Sequence, residues 1–97
     1  MYLEIVTPEA ILFSSEVDSV AVPGINGEFQ ILDNHAPVVS ILSQGKIKVH
    51  VHTQEHLVFD DLHGSIERLP EDDKILIMKI KSGTIEMKDN KVIILAD

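Results

Sequence analysis

"GKIKVHVH", residues 45–52, decides the fold class. In an extended chain Ile47, Val49 and Val51 fall on one side, and Lys46, Lys48, His50 and His52 on the other. That alternation marks a strand with one face in a core and one in solvent. The same period spreads outward. Upstream, "YLEIV" sets Leu3 with Ile5, "EVDSVAV" is rich in β-branched residues and ends at Pro23, and "EFQIL" sets Phe29 with Ile31. Downstream, "HLVFD" pairs Leu57 with Phe59, and "TIEM" pairs Ile85 with Met87. "KILIMKI" and "KVIIL" are more continuously apolar, which predicts strands buried on both faces. Gly, Pro, Asn and Asp punctuate these runs at short intervals, and "KDN" at 88–90 reads as a turn. The reading is all-β: a single β-sandwich domain over residues 1–97, of about ten short strands, with no long helix. "DLHGSIERLPEDDK", residues 61–74, is the best helical candidate, but Gly64 and Pro70 interrupt it and it reads as a loop with room for one helical turn.

Composition narrows the function classes. The chain has no Cys, which excludes disulfides, a thiolate nucleophile and Cys-ligated zinc. A formal net charge of −8 argues against nucleic-acid binding, because neutralising phosphates needs a basic face. It argues equally against charge-driven docking on anionic lipid. No apolar run approaches the roughly 20 residues of a membrane-spanning helix. The first residues, with Glu4 and Glu9, lack the basic and apolar regions of a signal peptide.

Catalytic patterns are thin. "HVHTQEH" holds His50, His52, Glu55 and His56, and His50 and His52 share a strand face, as in a cupin-like metal site. Lys46 and Lys48 lie on that face and would oppose a dication, so a solvated strand is the stronger reading. A metal-dependent β-barrel enzyme using His50, His52 and His56 is the alternative. Asp60-Asp61 and Glu71-Asp72-Asp73 read as exposed turn charges. There is no Gly-x-Ser-x-Gly elbow, and "PGINGE" lacks the ending of a phosphate loop and precedes a strand. The few aromatics make a carbohydrate-binding sandwich a poor reading. No metal or cofactor is called for.

The stretch "VPGINGEFQILDNHAPVVSILSQGKIKV", from residue 22, carries a further signal. Its Val22, Gly24, Gly27, Glu28, Leu32, His35, Ala36, Pro37, Leu42 and Gly45 resemble, in order and spacing, the signature of the epsilon subunit of F-type ATP synthases. The opening segment, with Leu12-Phe13-Ser14, and the closing "SGTIEMKDNKVIILAD" resemble that family too. The resemblance implies a non-catalytic rotor part of the central stalk, coupling ion-driven rotation of the membrane ring to ATP synthesis. It implies a gamma subunit and the c-subunit ring as partners, with alpha and beta subunits touched only indirectly. The location implied is the cytoplasmic face of the bacterial inner membrane, reached only through the complex. By position, Glu28 matches the family's acidic residue facing the ring, and His35, Ala36 and Pro37 match a segment near gamma. Gly24 and Gly27 are expected to hold positive-φ turns or to allow close approach of a partner's backbone.

Three departures stand out. Asp33 replaces the proline of the family pattern, so the turn before His35 is expected to differ. An insertion is expected around residues 61–74. The sequence stops at Asp97, where most bacterial family members continue into a two-helix hairpin, so that hairpin's regulatory and ATP-binding roles do not carry over.

Overall fold

A computed structural model describes residues 1–51, 66–69 and 72–97. The described residues form ten strands and no helix, the expected all-β sandwich: β1 (Tyr2–Val6), β2 (Ile11–Glu16), β3 (Ser19–Gly24), β4 (Gly27–Leu32), β5 (Val38–Leu42), β6 (Gly45–His50), β7 (Ile66–Leu69), β8 (Asp72–Ile80), β9 (Gly83–Lys88) and β10 (Lys91–Ala96). They hydrogen-bond in the order β2-β1-β10-β9-β5-β3-β6-β8-β7, with β4 on β3. The sheet folds on itself where β5 leads into β6. There β3 meets β5 at a single pair, Gly24 with Leu42, and the Ser43 amide donates to the Pro23 carbonyl at 2.8 Å. One layer is β2-β1-β10-β9-β5 and the other is β4-β3-β6-β8-β7.

The period-two reading holds strand by strand. Leu3, Ile5, Ile47, Val49, Ile85 and Ile94 are all buried, and with Val20, Val22, Ile31, Leu76 and Met87 they fill the space between layers. β9 turns into β10 through Asp89 and Asn90, both at positive φ (53° and 59°), and Lys88 pairs with Lys91. Two such residues suit the right-handed twist of a two-residue hairpin, which explains "KDN". β1 runs parallel to β10, with Leu3 against Val92 and Ile5 against Ile94.

Two expectations need correction. β8 and β10 are not buried on both faces. In β10, Val92, Ile94 and Ala96 are buried, while Leu95 is 54% exposed and Ile93 half-buried. In β8, Leu76, Met78 and Ile80 face the core and Lys79 faces solvent. Their apolar runs therefore supply a second, outward apolar face. The stretch 61–74 is not wholly a loop either. Residues 66–69 are strand β7, paired antiparallel to β8, with Ile66 opposite Met78, and β8 itself begins at Asp72. Local propensity gave way to an available strand edge, which satisfies backbone groups along a short run. Residues 61–65 and 70–71 of the expected insertion lie outside the described residues.

Candidate functional site

The two sequence-marked loops sit at opposite ends of β4. One end holds the turn from Gly24 to Gly27, which pair with each other across it. Gly27 has φ 123°, a backbone conformation that residues with side chains rarely adopt. Gly24 has a different reason to lack a side chain. A Cβ there would sit 2.8 Å from Phe29 Cε1 and 2.9 Å from the Gly27 carbonyl oxygen. Together they fold the hairpin tightly enough to push Ile25 out, 62% exposed. Glu28 follows on the outer side of β4. Its carboxylate meets Lys48 Nζ at 3.2 Å, with both side chains substantially exposed. The sequence reading aimed Glu28 outward but missed this internal partner two strands away.

At the other end, His35, Ala36 and Pro37 lead into β5. The His35 amide donates to the Leu32 carbonyl at 3.1 Å, and its Nδ1 lies 2.7 Å from the Ala36 carbonyl oxygen. Asp33 organises this end. Its Oδ1 accepts from the Met1 amino group at 2.9 Å and from Asn90 Nδ2 at 3.0 Å. A proline at this position would stiffen the turn through its own ring. Aspartate holds it through contacts to distant chain segments, which a sequence pattern does not reveal.

These contacts perturb both titrating groups. The hydrogen bond from the Met1 ammonium, with a second from Asn90, holds the Asp33 carboxyl below its ordinary value. The Asp33 bond, against a smaller opposing effect of burial and aided by Glu16 at 3.2 Å, holds the ammonium above its own. A lowered carboxyl pKa stabilises the fold above about pH 4, and this is lost as pH falls through the folded value. A raised ammonium pKa stabilises it below about pH 8, and this is lost as pH rises through the folded value. The stability gap between the parent and Asp33→Asn should therefore be widest between about pH 5 and 7, and narrow on both sides. Urea titrations across pH check this; a gap constant with pH would contradict it.

A third feature is an outward apolar face, for which Ile and Val on both parities of several strands left room without indicating which face it is. The outer side of the β1, β10, β9, β5 layer carries an apolar row. Register sets Ile41 beside Thr84, Thr84 beside Leu95, Leu95 beside Val6, and Val6 beside Ile11 on the edge strand β2. Ile41, Leu95 and Ile11 are 59%, 54% and 63% exposed, and Val39, one row along, is 77% exposed. One groove crosses the row between Pro8, Leu95 and Ile41. A second joins Ile41 and Val39 to Ile25 and Phe29 of the 24–27 hairpin. The result is one continuous apolar surface running from the layer's outer face to the Glu28 turn. Exposed apolar surface of this continuity marks an interaction site.

The metal-site alternative draws His52 and His56 from outside the described residues. His50 is half-buried on the outer side of β6, and no group of three potential metal ligands occurs among the described residues. Nothing in the fold or the comparisons supports that alternative.

Comparison with known proteins gives a consistent result. The family described as "ATP synthase, Delta/Epsilon chain, beta-sandwich domain" matches residues 1–60. An ATP synthase epsilon chain of Chlorobaculum tepidum is 33% identical over 95 residues, covering 98% of this chain and 86% of the relative. One of Leptospira interrogans is also 33% identical, with 98% of this chain and 59% of the relative covered. The chain thus spans less than two thirds of the length of several curated relatives it matches. Among solved structures, the central stalk and c-ring of Tetrahymena thermophila mitochondrial ATP synthase contains a chain that aligns with TM-score 0.71 at 11% identity. The alignment covers 98% of this chain and 61% of that one, and shows a shared fold.

Proposed function

The chain belongs to the ATP synthase delta/epsilon-chain family, and on that premise we propose that it serves as a non-catalytic rotor subunit of the central stalk. It clasps the gamma subunit and rests on the c-subunit ring, so that ion-driven rotation of the ring reaches the gamma shaft. It reaches the cytoplasmic face of the bacterial inner membrane as part of that complex, and touches alpha and beta subunits only indirectly. The observation that carries this reading is the exposed apolar surface centred on Ile41 and Leu95. A torque-bearing contact needs an apolar centre, because an exposed ion pair such as one from Glu28 contributes only about 0–1 kcal/mol.

Size decides how the partners divide the molecule. Strands about 4.8 Å apart, with residues about 3.3 Å apart along them, make the layer's outer face roughly 19 Å by 17 Å. A stable interface takes about 800 Å² from each partner. The flat face alone is too small, so the loops bordering it must contribute. Gamma would cover the face and the His35–Ala36–Pro37 loop that leads into Val38 and Val39. The ring would meet the 24–27 hairpin, with Ile25 as its apolar tip and Glu28 setting register.

The experiment is reconstitution with purified gamma subunit and membrane vesicles carrying the ring. The chain should bind gamma as a stable 1:1 complex and restore ATP-driven proton pumping; failure to bind gamma would overturn the reading. Glu28→Gln should leave the fold intact and weaken ring association by less than about fivefold, the most that one exposed pair supplies. Pumping assays with this variant check the point, and complete loss of pumping would show that Glu28 does more than set register.

A further inference from the structure

Asn90 ties together three chain segments at the His35 end of the sandwich. Its Oδ1 accepts from the Asn34 backbone N–H at 2.7 Å, and its Nδ2 donates to Asp33 Oδ1 at 3.0 Å. Its own carbonyl accepts from the Tyr2 N–H at 3.1 Å. Both ends of one side-chain amide are thus committed to consecutive residues of a loop more than fifty positions away in sequence. Asn34 and Asn90 are themselves at positive φ, 61° and 59°. In that conformation the Asn34 N–H turns out of its own loop towards the β9–β10 hairpin. Asparagine suits both positions because it tolerates the left-handed region and carries a donor and an acceptor. The loop closes on itself through the His35 N–H to Leu32 carbonyl bond.

We propose that Asn90 is a positioning residue for the 33–37 loop: it holds Asp33 and Asn34 from outside, and so sets the conformation in which His35, Ala36 and Pro37 meet the gamma subunit. The second half of this statement rests on the proposed gamma reading; the first half does not. The physical case is one of preorganisation. A loop ordered before binding loses less freedom on association than one that must be ordered by the partner. Asn90 can order it because it belongs to a two-residue hairpin between paired strands, whose backbone is fixed by the β9–β10 ladder. Asp89, its neighbour, has the same left-handed backbone at φ 53° but makes no hydrogen bond to the loop among the described residues, and so makes a matched control.

The test compares Asn90→Gly with Asp89→Gly in the full chain. Glycine adopts positive φ freely, so Asn90→Gly removes the side-chain amide while the hairpin keeps its backbone shape. Amide hydrogen exchange at Asn34 and His35 should accelerate about tenfold, with chemical-shift changes centred on residues 33–37. Calorimetry should show affinity for purified gamma subunit falling roughly threefold to tenfold, the scale of one or two modest hydrogen bonds. Asp89→Gly should change either quantity by less than about twofold. Asp33→Ala, which cuts the contact from the loop side, should reproduce the same loop signature and guards against a local hairpin defect in Asn90→Gly. Unchanged exchange and shifts in both Asn90→Gly and Asp33→Ala would overturn the positioning role. Altered loop exchange with unaltered gamma affinity would instead overturn the loop's place in the gamma interface. Loss of gamma binding by the parent chain itself would sink the function proposed above, and leave the loop measurement to decide the role of Asn90.

Discussion

Replacing Ile41 and Leu95 together by aspartate should weaken binding to the gamma subunit by roughly 100-fold or more, and leave the domain folded. Both side chains project from the same outer row, separated only by Thr84. They are 59% and 54% exposed, so the domain gains little stability from them. Surface substitutions of this kind usually move stability by about half a kcal/mol each. In a bound complex the same positions would lie at the centre of the contact. Truncating a central apolar anchor commonly costs 2 kcal/mol or more, and burying two unpartnered carboxylates adds desolvation to the loss. The comparison to make is with Lys81→Asp, an exposed residue one strand end away from the row, which should change affinity only slightly. Circular dichroism and a thermal melt establish the fold; calorimetry against gamma gives the affinity. If the double variant binds gamma within about threefold of the parent, the apolar face is not the gamma surface.

Gly83→Ala should lower the melting temperature by roughly 10 °C or more. Gly83 opens β9 and is flanked on both sides, opposite Leu42 of β5 and Ala96 of β10. A Cβ built on it would lie 2.5 Å from the Leu95 carbonyl oxygen and 3.4 Å from the Ala96 Cα. Those atoms are backbone, and moving them means parting β9 from β10. Overpacking of this kind costs about 1–3 kcal/mol, and in a domain of this size each kcal/mol shifts Tm by about 4–8 °C. Thr84→Val, at the next position but pointing out, is the control and should shift Tm by no more than about 4 °C. Differential scanning calorimetry decides it. A Gly83→Ala melt within 2 °C of the parent would mean that the strand pair yields at little cost. The two experiments also separate binding from folding, because Gly83 and Leu95 are neighbours that act on different quantities.

Much of this molecule was readable from local pattern. In "GKIKVHVH" each residue's face follows from its parity, because successive side chains on a strand must point to opposite sides. That alone placed Ile47, Val49 and Val51 in the core. The positive φ at Gly27 and the turn at residues 88–90 followed from backbone sterics that act over a few residues, whereas Gly24 is held to glycine by the Phe29 ring and the Gly27 carbonyl rather than by its own φ. The ordered signature around Glu28 and His35 points to the family from sequence alone. Parity also misled in one respect. The unbroken apolar runs of β8 and β10 suggested burial on both sides, whereas Leu95 faces outward. A sequence run records that a face is apolar, but not whether the surface covering it lies in the same chain.

What only the tertiary structure decided were the contacts between distant segments. Nothing near Glu28 in sequence points to Lys48, and nothing near Asp33 points to Asn90 or to the Met1 amino group. The apolar row is drawn from β5, β9, β10, β1 and β2, and exists only because β1 lies parallel to β10 in one particular register. β7 became a strand because β8 offered it an edge. Alternation and turn chemistry are set by the covalent geometry of neighbouring residues, so the sequence determined faces and reversals by itself. Pairing partners and register are chosen by the whole core at once, since a one-residue slip would turn each buried side chain outward. The outward apolar face of this protein was therefore decided by the fold.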